Sequence, residues 1–98
     1  MLVYKFGGSY LTSNSNYTKI FRLVKRKIKK DKVIIVVSAI GRNDAFSTNT
    51  LLKDASYLSP YEKDAFLSLG EQYSSLKLTN YLLQKGINTR CILANELD

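Results

Sequence analysis

The 98-residue chain contains no histidine, one cysteine and one proline. Each scarcity excludes something. Without histidine there is no Ser-His or Cys-His nucleophile pair. A single cysteine, Cys91, rules out an internal disulfide framework, and no Cys/His spacing suits zinc. Long apolar runs are missing as well. The longest, Val33 to Val37, is far too short to span a bilayer. Lys5 interrupts the first apolar stretch, so the N-terminus lacks a signal-peptide pattern. A soluble, cytoplasmic protein is the expectation. Neither G-x-x-x-x-G-K-[ST] nor G-x-G-x-x-G occurs.

Acidic residues are also scarce, eight against fifteen lysines and arginines, for a net charge of +7. Eight of the basic residues lie between Lys19 and Lys32. A basic block can meet nucleic acid or an anionic membrane. Here Tyr17, Ile20, Phe21, Val24 and Ile28 recur at helical spacing, and Lys19, Arg22, Arg26, Lys29 and Lys30 fill the rest of the circumference. The block therefore reads as the solvated face of an amphipathic helix. No nucleic-acid motif and no stacking aromatics accompany it, so neither nucleic acid nor membrane is expected as a partner.

What is present suits a small α/β domain. Leu2 to Phe6 reads as a strand. A helix follows, capped by Asn14 or Ser15 and running to about Lys30. Val33 to Ser38 has the β-branched character of a strand buried on both faces of a parallel sheet. Gly41 to Thr48 is a polar loop, and Asn49 to Leu58 suits a short helix. Ser59, Pro60 and Glu62 combine a capping box with proline at the first helical position. That helix is expected to bend at Gly70 and to stop at Gly86. Thr89 to Leu93 reads as a third strand, with Cys91 buried in it. The order β-α-β-α-α-β implies a parallel sheet with right-handed crossovers. Tyr73, Leu76, Leu78, Tyr81, Leu82 and Leu83 are more apolar residues than one helix face can hide, so contact with another polypeptide is expected.

Ligands of such sheets collect beyond the carboxyl ends of the strands. That rule selects "KFGGS" after the first strand, "SAIGRNDAFST" after the second, and whatever follows the third. Two glycines allow close backbone approach, and successive amides can cradle an anion beside a lysine. Gly-Gly after a strand also serves as an ordinary turn, and a lysine at a strand end is usually solvated.

"VYKFGGSYL" resembles the N-terminal signature of aspartate kinases, K-[FY]-G-G-[TS]-S-[VL]. "VIIVVSAIGR" resembles their V-V-V-V-S-A-M-G, and "TNTLL" their T-D-x-L-L. "LSPYEKDAFLSLGEQYSS" resembles S-P-R-E-x-D-x-L-L-S-x-G-E-x-x-S. The four motifs occur in register over nearly the whole chain, and the long "GRNDAFSTNTLL" loop looks most like the diaminopimelate-sensitive subgroup.

The resemblance implies the amino acid kinase fold, a three-layer parallel-sheet sandwich, represented by its N-terminal substrate half. It implies transfer of the ATP γ-phosphoryl group, with Mg²⁺, to the β-carboxylate of L-aspartate, the first step toward lysine, threonine and methionine. Lys5 matches the lysine at the transferring phosphoryl group, and Phe6, Gly7, Gly8 and Ser9 match the phosphate-facing loop. Ser38, Thr48 and Glu71 match the aspartate-binding residues. No metal-ligating residue is implied, and a homo-oligomer is expected. Each residue also has a plainer role open to it. Thr48 could cap a helix, Ser38 could satisfy a strand end, and Glu71 could be a surface carboxylate beside a bend.

Two departures stand out. Tyr10 replaces a small serine, and Leu93 to Asp98 replaces the family's T-G-x-Q-A-G. The family's nucleotide-binding half and its regulatory ACT domains have no counterpart in these residues. The chain by itself is thus expected to be inactive. The alternative is a non-catalytic, kinase-derived domain that binds a small molecule or a partner chain.

Overall fold

Two short strands pair in parallel and carry the rest of the molecule. The computed structural model describes residues 1–41 and 44–93. Strand β1 (Leu2–Phe6) runs beside β2 (Val33–Val37) in the register Leu2↔Val33 to Phe6↔Val37. The intervening helix α1 spans Asn14–Lys27, after a 3₁₀ turn at Tyr10–Thr12. Helices α2 (Thr48–Asp54) and α3 (Pro60–Gln84) follow β2. The result is an α/β fold with a parallel sheet.

Burial alternates along both strands. Leu2, Tyr4, Phe6, Val33, Ile35 and Val37 face the helices, where Leu11, Tyr17, Ile20, Val24, Ile40, Leu78, Leu82 and Ile87 form the core. The opposite face presents Val3, Lys5, Ile34 and Val36 and is open. A strand buried on both faces was expected of "VIIVV". Only one face is covered, because α1 and α3 both pack against the same side of the sheet.

The expected third strand is absent among the described residues, where the sheet has two strands. β-Propensity reports how side chains suit a pleated surface, whereas a strand also needs a ladder partner. Thr89 to Leu93 has the first without the second. Cys91 is accordingly half-buried outside the sheet, and Ile92 is 58% exposed.

Helix boundaries shifted by a residue or more. Ser13, extended at φ −114°, takes the cap position of α1 in place of Asn14 or Ser15, and its hydroxyl meets that of Ser15 at 2.7 Å. The helix stops at Lys27, which leaves Ile28 at the C-cap and 42% exposed instead of in the apolar stripe. Tyr17, Ile20 and Val24 are buried as the periodicity predicts. Helix α2 ends at Asp54, four residues early, because Ala55 is wholly buried and a turn closes from Leu58 N to Ala55 O at 3.1 Å.

Helix α3 has the expected start. Ser59 Oγ accepts from Glu62 N at 3.3 Å, and Glu62 Oε1 accepts from Ser59 N at 3.2 Å. Its end is a Schellman motif. Gly86, at φ +84°, donates to Leu83 O, and Ile87 donates to Leu82 O, both at 3.0 Å. The helix continues unbroken through Gly70. That glycine answers to packing: a Cβ there would lie 2.5 Å from Phe46 O and 2.8 Å from Ala39 Cβ.

Two outcomes are expected. In Gly70→Ala, the helical preference for alanine, about 1 kcal/mol, opposes an overpacking cost of about 1–3 kcal/mol. A lower urea midpoint at unchanged slope is expected, and a higher midpoint would refute the close-packing role. Hydrogen bonds from the Ser59 hydroxyl and then the Ser59 amide hold the Glu62 carboxyl below its ordinary value. Their contribution is present above the unfolded value and lost as pH falls through the folded one. Acid titration of stability should therefore be shallower in Glu62→Gln than in the parent.

Candidate functional site

The in-register pairing ends both strands at one level, so the segments following β1 and β2 meet at the same sheet edge. Ser38 N donates to Phe6 O at 3.4 Å, and Gly41 N donates to Gly8 O at 3.0 Å. A side chain on Gly8 would collide with the Ala39 carbonyl oxygen and come within 3.0 Å of Gly41 N. Around Gly7, by contrast, nothing lies within 4 Å of where a Cβ would stand. Packing therefore requires a glycine at position 8 and not at position 7. Gly8 is fixed by the neighbouring loop, and Gly7 presents its backbone to open space.

Lys5 is exposed on the open sheet face, in register with Val36. Phe6 faces the core, where its ring stacks on Tyr10 at 5.4 Å. Only its backbone is at the strand end. This contact also seats Tyr10, whose ring packs against the core. Ser9 is exposed, and its carbonyl accepts from the Thr12 hydroxyl at 2.7 Å. Ser38 is half-buried and precedes buried Ala39 and Ile40.

Thr48 is exposed in the first turn of α2, and the cap is its neighbour Ser47. Ser47 Oγ accepts from Thr50 N at 3.2 Å and donates to Thr50 Oγ1 at 2.9 Å, at 2% exposure. The capping reading of Thr48 is thereby corrected, since one side chain satisfies the helix start and its neighbour is left free of that duty. Glu71 is exposed one residue beyond Gly70, which rests on Ala39 and the Phe46 backbone. The turn carrying Glu71 is thus seated against the loop after β2. Arg42, Asn43 and the Ala94 to Asp98 segment lie outside the described residues.

Several supporting residues carry no sequence motif. The Phe46 ring stacks on Tyr73 at 4.6 Å and ties the loop to α3, while Asp44 Oδ1 accepts from Phe46 N at 2.8 Å. Tyr17 is buried beneath, with its hydroxyl unpartnered among the described residues. Burial, followed by the nearby Tyr73 and Asp44, pushes its phenol pKa up. Only the Asp44 turn had a local signal, an aspartate two residues before the amide it accepts from. A 270 Å³ groove between α1 and α3 is lined by Asn14, Tyr17, Thr18, Lys77, Tyr81 and Lys85, none of them an expected site residue. Among the described residues no three His, Cys, Asp or Glu side chains cluster in a way that could hold a metal, and no helix is long and apolar enough to cross a membrane.

The contrast between the glycines can be measured. Gly7→Ala should leave the unfolding free energy from urea titration within about 0.5 kcal/mol of the parent, as for a surface change. Gly8→Ala should lower stability by about 1–3 kcal/mol through overpacking. Equal effects would contradict the close approach of Gly8 to Ala39.

Comparison with known proteins places this arrangement. Aspartokinase 1 of Bacillus subtilis is 36% identical over 98 residues, covering 94% of this chain and 24% of the relative. The aspartokinase of Rickettsia bellii is 36% identical over 107 residues, covering 99% and 25%. The chain therefore spans about a quarter of the length of these relatives. The crystal structure of aspartate kinase from Synechocystis superposes with a TM-score of 0.72 at 30% identity, covering 87% of this chain and 15% of that one. The sequence profile described as the Amino acid kinase family matches residues 1–98, and the chain belongs to that family.

Proposed function

We propose that these residues form the aspartate-binding and phosphate-facing part of an aspartate kinase, which transfers the γ-phosphoryl group of ATP to the β-carboxylate of L-aspartate in the cytoplasm, at the start of lysine, threonine and methionine synthesis. The observation that carries the reading is the meeting of three segments: Gly8 against Ala39 and Gly41, and Gly70 against Ala39. This brings the glycine loop, the loop after β2 and the turn bearing Glu71 together at the carboxyl end of the sheet.

Phosphoryl transfer asks chiefly for positioning and charge stabilisation. The acceptor carboxylate is already ionised at neutral pH, so no general base is needed and the absence of histidine is no obstacle. Lys5 and the amides of the Gly7–Gly8 segment would offset charge on the transferring group. Glu71 would pair with the substrate ammonium. The hydroxyls of Ser38 and Thr48 would donate to a carboxylate without repelling it. Mg²⁺ would enter with the ATP phosphates and screen their charge. Nucleotide contacts beyond the phosphates would come from polypeptide equivalent to the remaining three quarters of the relatives.

The purified 98-residue chain should release no ADP from ATP, Mg²⁺ and aspartate. Joined to the remaining length of the Bacillus subtilis relative, it should turn over. In that chimera Glu71→Gln removes a charge-assisted hydrogen bond worth about 1.5–3 kcal/mol, so the aspartate KM should rise about ten- to a hundredfold while the ATP KM holds. Lys5→Met should lower kcat more than it changes the aspartate KM. Turnover by the isolated chain would refute the division of labour, and an unchanged aspartate KM in Glu71→Gln would remove that residue from the site.

A further inference from the structure

The groove between α1 and α3 shares no residue with the proposed aspartate site and has a chemistry of its own. Its 270 Å³ are lined by Asn14, Tyr17 and Thr18 from α1 and by Lys77, Tyr81 and Lys85 from α3, with no carboxylate among them. Residues four apart stand one above another on a helix, so the three α3 residues form one stripe, and Asn14 and Thr18 form the facing one. The Tyr17 and Tyr81 rings, 5.5 Å apart and tilted by 48°, make an apolar middle. Three features leave this lining short of negative charge. Among the described residues neither lysine has an ion-pair partner. Lys77 Nζ instead lies over the rings of Tyr17 and Tyr73, at 5.6 and 5.8 Å, and Lys85 Nζ over that of Tyr81, at 5.6 Å. Helix α1 starts at Asn14 with no side-chain cap bond from Ser13 and no acidic residue in its first turn, so the positive end of its dipole is unanswered. Tyr17 is 4% exposed, and its hydroxyl has no partner among the described residues. Such a group costs free energy until an acceptor is supplied.

We propose that this groove is a binding site for an elongated dianion, a small molecule with a carboxylate at each end and an apolar middle. The two ammonium groups set its length. Each leans over a ring four residues before it, Tyr73 for Lys77 and Tyr81 for Lys85, so their separation follows that of the backbone. From Lys77 to Lys85 the helix rises about 12 Å. One carboxylate or one phosphate group cannot reach both ends, whereas a chain with a carboxylate at either end can. One end accepts from Lys77, the other from Lys85, and the chain between them lies on the tyrosine rings. An apolar lining with a few convergent polar groups is the usual make-up of a small-molecule site. Charge complementarity selects the occupant, since a monoanion would leave one ammonium group unmatched and a neutral molecule both. The site is independent of the reaction proposed above.

Suberate is the probe. Titrated at low salt into the isotope-labelled 98-residue chain, it should shift the amide resonances of Asn14, Thr18, Lys77, Tyr81 and Lys85 and saturate. Succinate is too short to bridge the lysines, and octanoate matches suberate in length with a single carboxylate. Each loses one charge-assisted contact and should bind at least about tenfold more weakly. Lys77→Met and Lys85→Met should each weaken suberate by about tenfold, whereas Lys53→Met on α2 should leave it unchanged. All three lysines are exposed, so these substitutions spare the fold. Thr18→Trp fills the groove and should abolish binding with an unchanged far-ultraviolet circular dichroism spectrum. If that variant fails to fold, the lysine variants decide the matter. No saturable shift, equal affinity for suberate and either succinate or octanoate, shifts confined to the basic outer face of α1, or binding that survives both lysine substitutions would each overturn the proposal.

Discussion

Ala39 is held between two glycines from distant parts of the chain, and the arrangement of the site depends on that sandwich. Its carbonyl oxygen lies against Gly8, and its Cβ lies against Gly70. Because neither neighbour has a side chain, the strand-end loops touch backbone to backbone and α3 descends onto them. Interiors are close-packed, so one methyl at such a point displaces whole segments. The in-register pairing of β1 and β2 sets the height of the loops, and the two glycines set how near they come.

The chemistry proposed for this edge follows from geometry of that kind. The expected polar residues, Lys5, Ser9, Thr48 and Glu71, are all exposed, with Ser38 half-buried. The surrounding backbone is held by other residues: the Ser47 cap, the Asp44 turn, the Phe46–Tyr73 stack and buried Tyr17. Side chains free of structural hydrogen bonds can be spent on a substrate, because the backbone that carries them is fixed by others.

The domain also leaves apolar surface on two sides, for different reasons. The open sheet face, with Val3 60% exposed, belongs to a parallel sheet that has helices on one side only. Leu69, Leu76 and Leu83 of α3 lie exposed on the far side of a helix that already has its packing partner. Lys5 stands within the first of these surfaces, so whatever covers that face would also determine what its ammonium meets.

The sequence by itself determined those features whose physics is local. The capping box at Ser59 and Glu62, the αL stop at Gly86 and the apolar stripe of α1 all rest on residues within a turn or two of one another. The parallel strands follow from a largely apolar stretch at Leu2 to Phe6 and a β-branched run at Val33 to Val37, set at crossover spacing, and the four motifs carried the family. Tertiary structure decided whatever needed a distant partner. Gly70 suggested a bend and proved to be a packing contact, because its neighbours come from residues 39 and 46. Tyr10 could have crowded the glycine loop, and its stack on Phe6 turns it inward. Thr48 could have capped α2, and Ser47 takes the cap instead, its buried hydroxyl accepting from Thr50 N. Thr89 to Leu93 had the composition of a strand and no ladder to join, because propensity belongs to a segment and pairing belongs to the sheet.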